Sequence, residues 1–360
     1  TMPARLPKLK LLITGGAGFI GSALIRKLLL DTDCSVLNID KLTYAAVPGA
    51  FHDLEEHPRY RFVRQDICGL AALKTLFSEF RPDAVINLAA ESHVDRSIDA
   101  AVDFVQTNIV GTYTLLQAAV EYWKELDPIA HQDFRFHQIS TDEVFGPTPT
   151  DVQFNEESPN RPSSPYAASK ASADHLVMAW HHTFGLPILL SICSNNYGPF
   201  QFPEKLIPLT IARAIDGQAI NIYGDGRQER DWLHVDDHVA GLFAVLALGS
   251  AGQSYALGSG RVHNNLDVVT TLCGLLDEAL PTSPHRPHTN LIEFVDDRPG
   301  HDIRYALDAS KARAELNWRP TITFSDGLRD TVEWYLQNRA WWSGILRSVY
   351  DGERLGRIEP

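Results

Sequence analysis

Cysteine is scarce and scattered in this chain. Cys34, Cys68, Cys193 and Cys273 share no Cys-x-x-Cys spacing, which argues against a zinc site and a disulfide framework alike. They are expected as buried thiols in a reducing cytoplasm, and no metal site is expected. Positive charge is also short. Against 45 Asp and Glu stand 32 Lys and Arg, a formal net charge of −13 at pH 7. That balance argues against a general nucleic-acid or membrane-surface binder, so an anionic ligand must be met by basic residues gathered locally. Long apolar runs, a signal peptide, internal repeats and low-complexity tracts are missing as well. Thr1, ahead of Met2, is read as an expression remnant and set aside from the fold.

What is present is an alternation. Apolar runs at 9–14, 35–39, 61–64, 84–89, 134–140 and 187–193 read as buried strands. Segments 18–30, 70–80, 100–126 and 169–183 between them have helical length and composition. Strands and helices in turn imply right-handed crossovers and a parallel sheet covered on both faces, a doubly wound α/β fold. After Cys193 the texture shifts toward proline, glycine, asparagine and aromatics. A dinucleotide-binding domain over 1–193 is therefore expected, with a smaller mixed α/β substrate domain over 194–360 lying across the strand carboxyl ends. Helical segments at 204–216, 235–248 and 324–338 are expected in the latter.

The first strand runs into Thr14-Gly15-Gly16-Ala17-Gly18-Phe19-Ile20-Gly21, and a helix comes next. Glycines there allow a tight turn and close backbone approach to a pyrophosphate at the positive helix end, which marks Gly15, Gly18 and Gly21. Asp40 ends the second strand, where a carboxylate can take both ribose hydroxyls and repel a 2′-phosphate. NAD is thus expected over NADP. Asp66 and Ile67 end the next strand and either meet the adenine or simply cap the adjoining helix. Leu88, Ala89 and Ala90 are small enough to let backbone approach the cofactor.

Two further runs carry proton chemistry. Tyr166 and Lys170 lie four residues apart behind Pro165, on one face of a predicted helix. A lysine ammonium beside a phenol favours the phenolate, which makes Tyr166 a base for a hydroxyl whose carbon loses hydride. Asp142 and Glu143 leave the fifth strand side by side. They are either a solvated acidic turn or an acid and base set apart by their surroundings.

These runs also carry a resemblance. Thr-Asp-Glu at 141–143, Asn-Asn-Tyr-Gly-Pro at 195–199 and Asp-Arg-Pro-Gly-His at 297–301 resemble the bacterial dTDP-glucose 4,6-dehydratases. That family belongs to the extended short-chain dehydrogenase/reductases, and matching stretches cover most of the chain. The resemblance implies a Rossmann-type fold, tightly held NAD, a homodimer and a dTDP-glucose substrate in deoxysugar biosynthesis. It implies that Tyr166 deprotonates the C4 hydroxyl, Glu143 removes the C5 proton and Asp142 protonates the departing C6 hydroxyl, with Thr141 on the C4 oxygen. It also places Phe19, Ile20, Asp40, Lys41, Leu42, Thr43, Asp66, Ile67, Leu88, Ala89, Ala90, Thr107, Tyr166, Lys170 and Asn196 on the cofactor. Ser92, Thr141, Asn195, Lys205, Leu206, Asn221, Ile222, Tyr223, Arg230, Asn265, Asp297, Arg298 and His301 would hold the substrate. Lys205, Arg230 and Arg298 suit a diphosphate on physical grounds, and Tyr223 offers a face to the base. Phe145 and His234 depart from the pattern, each standing where a tyrosine is usual.

The rival readings are a UDP-glucose dehydratase, an NAD-dependent sugar-nucleotide epimerase or decarboxylase, and a non-catalytic NAD sensor. An epimerase or decarboxylase needs no base aimed at C5, so Glu143 discriminates.

Overall fold

The computed structural model describes residues 8–348 except 48, 50, 52, 53, 55, 298 and 299. Six strands form in its first half, with a described helix between each consecutive pair except β2 and β3: β1 (Lys10–Thr14), β2 (Ser35–Asp40), β3 (Tyr60–Arg64), β4 (Ala84–Asn87), β5 (Arg135–Thr141) and β6 (Ile188–Cys193). The rest supplies β7 (Asn195–Tyr197), β8 (Ile220–Tyr223), β9 (Glu229–His234), β10 (Gln253–Leu257), β11 (Val262–Asn264) and β12 (Ile292–Val295). The main sheet has seven strands in the order β10-β6-β5-β4-β1-β2-β3, every pairing parallel. One edge pair joins distant parts of the chain, because β10 returns from the second half to lie on β6.

Alternation along β1 shows why both faces are covered. Leu11 and Ile13 pack with helices Phe19–Asp31 and Val235–Leu248, whereas Leu12 packs with Leu70–Phe80 and Thr112–Lys124. A strand with both faces apolar can be stable only between two helical layers, each buried Leu or Ile being worth about 1.5–3 kcal/mol. The expected doubly wound α/β fold is the one observed.

Past β6, two small sheets, β11-β9-β7 and β12-β8, frame a separate core. Tyr197, Ile211, Val268, Leu272, Leu328 and Trp342 are among its buried members. Helices Leu206–Ile215, Val235–Leu248 and Phe324–Gln337 fall where the apolar spacing predicts them.

The expected single helix over 100–126 is interrupted. Short helices Val94–Asp99 and Ala101–Phe104 lead into a π-helical turn, Val105–Gly111, before Thr112–Lys124 resumes α geometry. A π turn adds a residue and rotates the helix beyond it, and such turns gather at functional sites. Here it buries Thr107 and Asn108. Asn108 Oδ1 accepts the Glu91 amide at 2.9 Å, while Nδ2 donates to the Glu91 carbonyl at 3.0 Å and Ser169 Oγ at 2.8 Å. One side chain thereby ties the segment after β4 to the helix that carries Tyr166.

That helix, Pro165–Phe184, begins four residues earlier than its apolar pattern suggests. Ser164 Oγ accepts the Ala167 amide at 3.1 Å and Pro165 occupies the first turn, where its missing N–H costs nothing. Tyr166 and Lys170 are consequently one turn apart and both buried.

Candidate active site

The carboxyl ends of β1, β2, β4, β5 and β6 open into one cavity of about 480 Å³, roofed by the second half of the chain. At its floor Gly15 has φ +69°, and a Cβ there would lie 2.5 Å from the Ala89 nitrogen. On Gly21 a Cβ would lie 2.4 Å from the Gly15 carbonyl oxygen, so only glycine closes the turn against its helix. Helix Phe19–Asp31 has no acidic residue in its first turn and no side-chain cap at Gly18. Its N-terminal amides and dipole are left for an anion.

Asp40 Oδ2 accepts the Ala17 amide at 2.9 Å and Oδ1 the Leu42 amide at 2.8 Å. Each oxygen keeps a lone pair for a hydroxyl. Lys41 donates to Thr107 Oγ1 at 2.8 Å and lies 3.6 Å from Glu91. Asp40, Asp66 and Glu91 therefore surround this corner with negative charge, which opposes an added phosphate. Asp66 accepts the Cys68 amide at 2.9 Å, the helix-leading turn that its sequence position allows.

Among the expected cofactor residues, Gly15, Gly18, Phe19, Ile20, Gly21, Asp40, Lys41, Thr43, Ile67, Leu88, Ala89, Ala90, Thr107 and Asn196 line the cavity with Tyr166 and Lys170. Leu42 and Asp66 stand off its wall. From the expected substrate set, Ser92, Thr141, Asn195, Lys205, Leu206, Asn221, Ile222, Tyr223, Arg230, Asn265 and His301 line it. Asp297 stands behind, bonded to His301 Nδ1 at 2.6 Å and to Gln228 Nε2 at 2.9 Å, so it aims the imidazole. Arg298 lies outside the described residues. Arg230 is buried, donating to the Asp302 and Glu229 carbonyls at 2.9 and 2.8 Å with its guanidinium 4.5 Å from the Tyr305 ring centre. Such a cation is set in place before any ligand arrives.

Glu143 faces the cavity beside Tyr166, whereas Asp142 sits just behind the wall, 3% exposed. Thr141 Oγ1 donates to Asp142 Oδ1 at 3.3 Å and accepts the Glu143 amide at 3.3 Å, splaying the two carboxyls. Asp142 Oδ2 is buried without a hydrogen-bond partner among the described residues. Burial, reinforced by the charges of Glu143 and Asp231, raises the Asp142 pKa well above the usual carboxylate range. A buried, protonated carboxyl is an acid in waiting.

The same burial penalises folding once the unfolded chain ionises. Because the folded pKa lies above the ordinary 3.8, this group's contribution to stability falls as pH rises from about 4 toward the folded value. Asp142→Asn has no proton to lose. Its melting temperature relative to wild type is expected to climb between pH 4 and 8, and a difference independent of pH would refute the assignment.

Lys170 Nζ donates to the Ile139 carbonyl at 2.6 Å. Burial lowers its pKa, opposed by Asp174 and Cys193. Tyr166 departs from expectation: its pKa is raised, first by burial and then by the Glu143 charge, with a Thr141 hydrogen bond opposing. Loss of water on burial is the largest cause. Asp174, a residue that sequence reasoning passes over, accepts from Ser140 Oγ, and burial pushes it up to about 7. Its spacing of four from Lys170 is the available signal.

The GDP-mannose 4,6 dehydratase family matches residues 12–331. The dTDP-glucose 4,6-dehydratase of Neisseria meningitidis serogroup B is 53% identical over 96% of this chain and 99% of its own. The Escherichia coli enzyme of that name is 49% identical over 98% and 100%. The chain belongs to the dTDP-glucose 4,6-dehydratase family. Within the family, the solved Streptomyces venezuelae enzyme, with NAD and TYD bound, superposes with a TM-score of 0.84 at 42% identity, covering 94% of this chain and 100% of that one. A UDP-glucose 4-epimerase from Thermotoga maritima shares the fold at 26% identity and TM-score 0.79, over 92% of this chain and 100% of its own.

Proposed function

We infer that the protein is an NAD-dependent hydro-lyase that converts dTDP-glucose to dTDP-4-keto-6-deoxyglucose in deoxysugar biosynthesis. The observation that carries this reading over an epimerase is Glu143 on the cavity wall beside Tyr166, with Asp142, its pKa raised by burial, next to it in sequence.

The glycine turn at Gly15–Gly21, the uncapped helix end and Asp40 fit NAD, since a side chain at either glycine would collide with backbone. Gly15, Gly18, Gly21 and Asp40 would hold NAD, which would supply the hydride acceptor for C4 oxidation and the hydride donor for C6. Tyr166 takes the C4 hydroxyl proton while Lys170, one turn on, holds positive charge nearby. The new C4 ketone acidifies the C5 proton, which Glu143 removes. The C5–H electron pair becomes the C5–C6 double bond as the C6–oxygen bond breaks, and Asp142 protonates the oxygen so that it leaves as water. Glu143 then returns its proton to C5 as hydride reaches C6, the C4 oxygen stays a ketone, and the proton gained by Tyr166 balances, through solvent, the one that Asp142 gave to the departing water. Lys205 and Arg230 are suited to the diphosphate, Arg230 being already oriented.

We assign cofactor binding mainly to residues 1–193 and sugar-nucleotide binding mainly to 194–360, from which β10 returns only to complete the main sheet. Val102, Val105 and Tyr113 are 73, 47 and 47% exposed along the helical segment after residue 100, an apolar stripe that supports a homodimer. Cytoplasmic residence is supported by four free cysteines, three of them buried. Among the described residues no helix is long and apolar enough to cross a membrane.

Turnover of dTDP-, UDP-, CDP- and GDP-glucose, read as 4-keto absorbance in alkali, tests the function. The dTDP sugar is expected to give the highest kcat/KM. Preference for another nucleotide would overturn the substrate, and no product from any would overturn the reaction.

A further inference from the structure

Three loops meet at a buried carboxylate that the dehydration does not use. Glu204 lies just ahead of helix Leu206–Ile215, its side chain 2% exposed. Arg96 Nε is 3.6 Å and His93 Nε2 3.7 Å from its Oε2, and the Tyr44 hydroxyl donates to Oε1 at 3.4 Å. His93 Nδ1 accepts the Arg96 amide, so the neutral ring carries its proton on Nε2, toward Glu204. The Arg96 guanidinium also lies 3.7 Å from the Tyr44 ring centre. Lys205, the next residue, donates to the Ser92 carbonyl at 3.1 Å.

Consecutive residues 204 and 205 thus hold consecutive residues 93 and 92, and reach across to Tyr44, the residue after Thr43 in the loop beyond β2. Thr43, Ser92, Glu204 and Lys205 all line the cavity. Burying a carboxylate among two cations is a poor way to gain stability, because desolvation offsets the attraction. Burial raises the Glu204 pKa, opposed by Lys205 and Arg96. Fixing the register of three loops is what such a cluster does well.

We propose that Glu204 is a positioning residue that couples the cofactor corner of the site, through Tyr44, to the Ser92 and Lys205 walls that receive the nucleotide sugar. The inference rests on reading this cavity as the site for NAD and dTDP-glucose. With the pocket register loosened, ground-state and transition-state binding fall together, so KM rises while kcat holds.

The test uses the intact holoenzyme with dTDP-glucose. Glu204→Gln keeps the volume and removes the charge. Its KM is expected to rise about tenfold, as for one lost charge-assisted hydrogen bond, with kcat within about threefold of wild type. Bound NAD is expected to leave faster during gel filtration. Tyr44→Phe, which deletes only the hydroxyl, should shift KM and NAD retention in the same direction by a smaller factor, and Glu204→Asp should recover part of both. Wild-type KM and NAD retention in a folded Glu204→Gln protein would overturn the proposal, as would a loss confined to kcat. Should Glu204→Gln fail to fold, unchanged KM and NAD retention in Tyr44→Phe overturns it equally. Wild-type turnover is measured alongside: its absence defeats the functional reading, whereas normal turnover with indifferent variants defeats the coupling alone.

Discussion

Glu143→Gln is expected to cut release of 4-keto-6-deoxy product by about 10²–10⁴-fold, the range for a lost general base. Glutamine occupies the same volume on the cavity wall but has no lone pair basic enough to take the C5 proton. Asp142 cannot replace it. Its carboxyl is buried, and burial with the charges of Glu143 and Asp231 raises its pKa, which suits it to give a proton rather than take one. Oxidation at C4 depends on Tyr166 and should survive, so the variant should accumulate reduced cofactor in its near-ultraviolet absorbance. It should also fail to exchange C5 hydrogen with deuterated water. Near wild-type product release from this variant would remove the ground for separating the protein from an epimerase.

Tyr166→Phe should lose activity by a similar factor of about 10²–10⁴ but at the earlier step. Without the phenol oxygen nothing takes the C4 proton, so neither product nor reduced cofactor should appear. Packing is kept, because the Tyr166 ring meets Phe104 edge-on at 6.2 Å and phenylalanine preserves that contact. Stopped-flow absorbance on mixing with dTDP-glucose separates the two variants. Reduced cofactor forming at the wild-type rate in Tyr166→Phe would assign the base elsewhere.

Much of the fold was legible because it arises from local pattern. The β1–β6 strands and helix Leu70–Phe80 lie within about two residues of where apolar runs and glycine turns place them. The glycine turn and Asp40 were equally plain, since both are short-range features whose chemistry is backbone shape. Strands such as β7 and β11, three residues each, carry too little periodicity to read. The π turn at Val105–Gly111 was hidden because an added helical residue leaves composition unchanged.

Site partners were legible when they share an element and hidden when they do not. Tyr166 and Lys170 declare themselves by spacing. Lys205 on the Ser92 carbonyl spans 113 residues, and Asn108 on Ser169 spans 61, so only the fold brings them together. The Tyr166 pKa misled for a related reason. Spacing names a lysine on the same helix face but is silent on the loss of water, which here is the largest cause of the shift.

The return of β10 to the main sheet bears on how the chain acquires its shape. β6 is Ile-Leu-Leu-Ser-Ile-Cys with all six residues buried, and its outer edge is paired by Gln253–Leu257. Until residue 257 leaves the ribosome, that edge stands open with its amides and carbonyls unpaired. A chain arrested near residue 193 would hold every glycine of the dinucleotide turn and both Tyr166 and Lys170, yet present a sticky apolar strand to its neighbours. The catalytic half of the sequence is therefore dependent for its solubility during synthesis on a strand that takes no part in the chemistry.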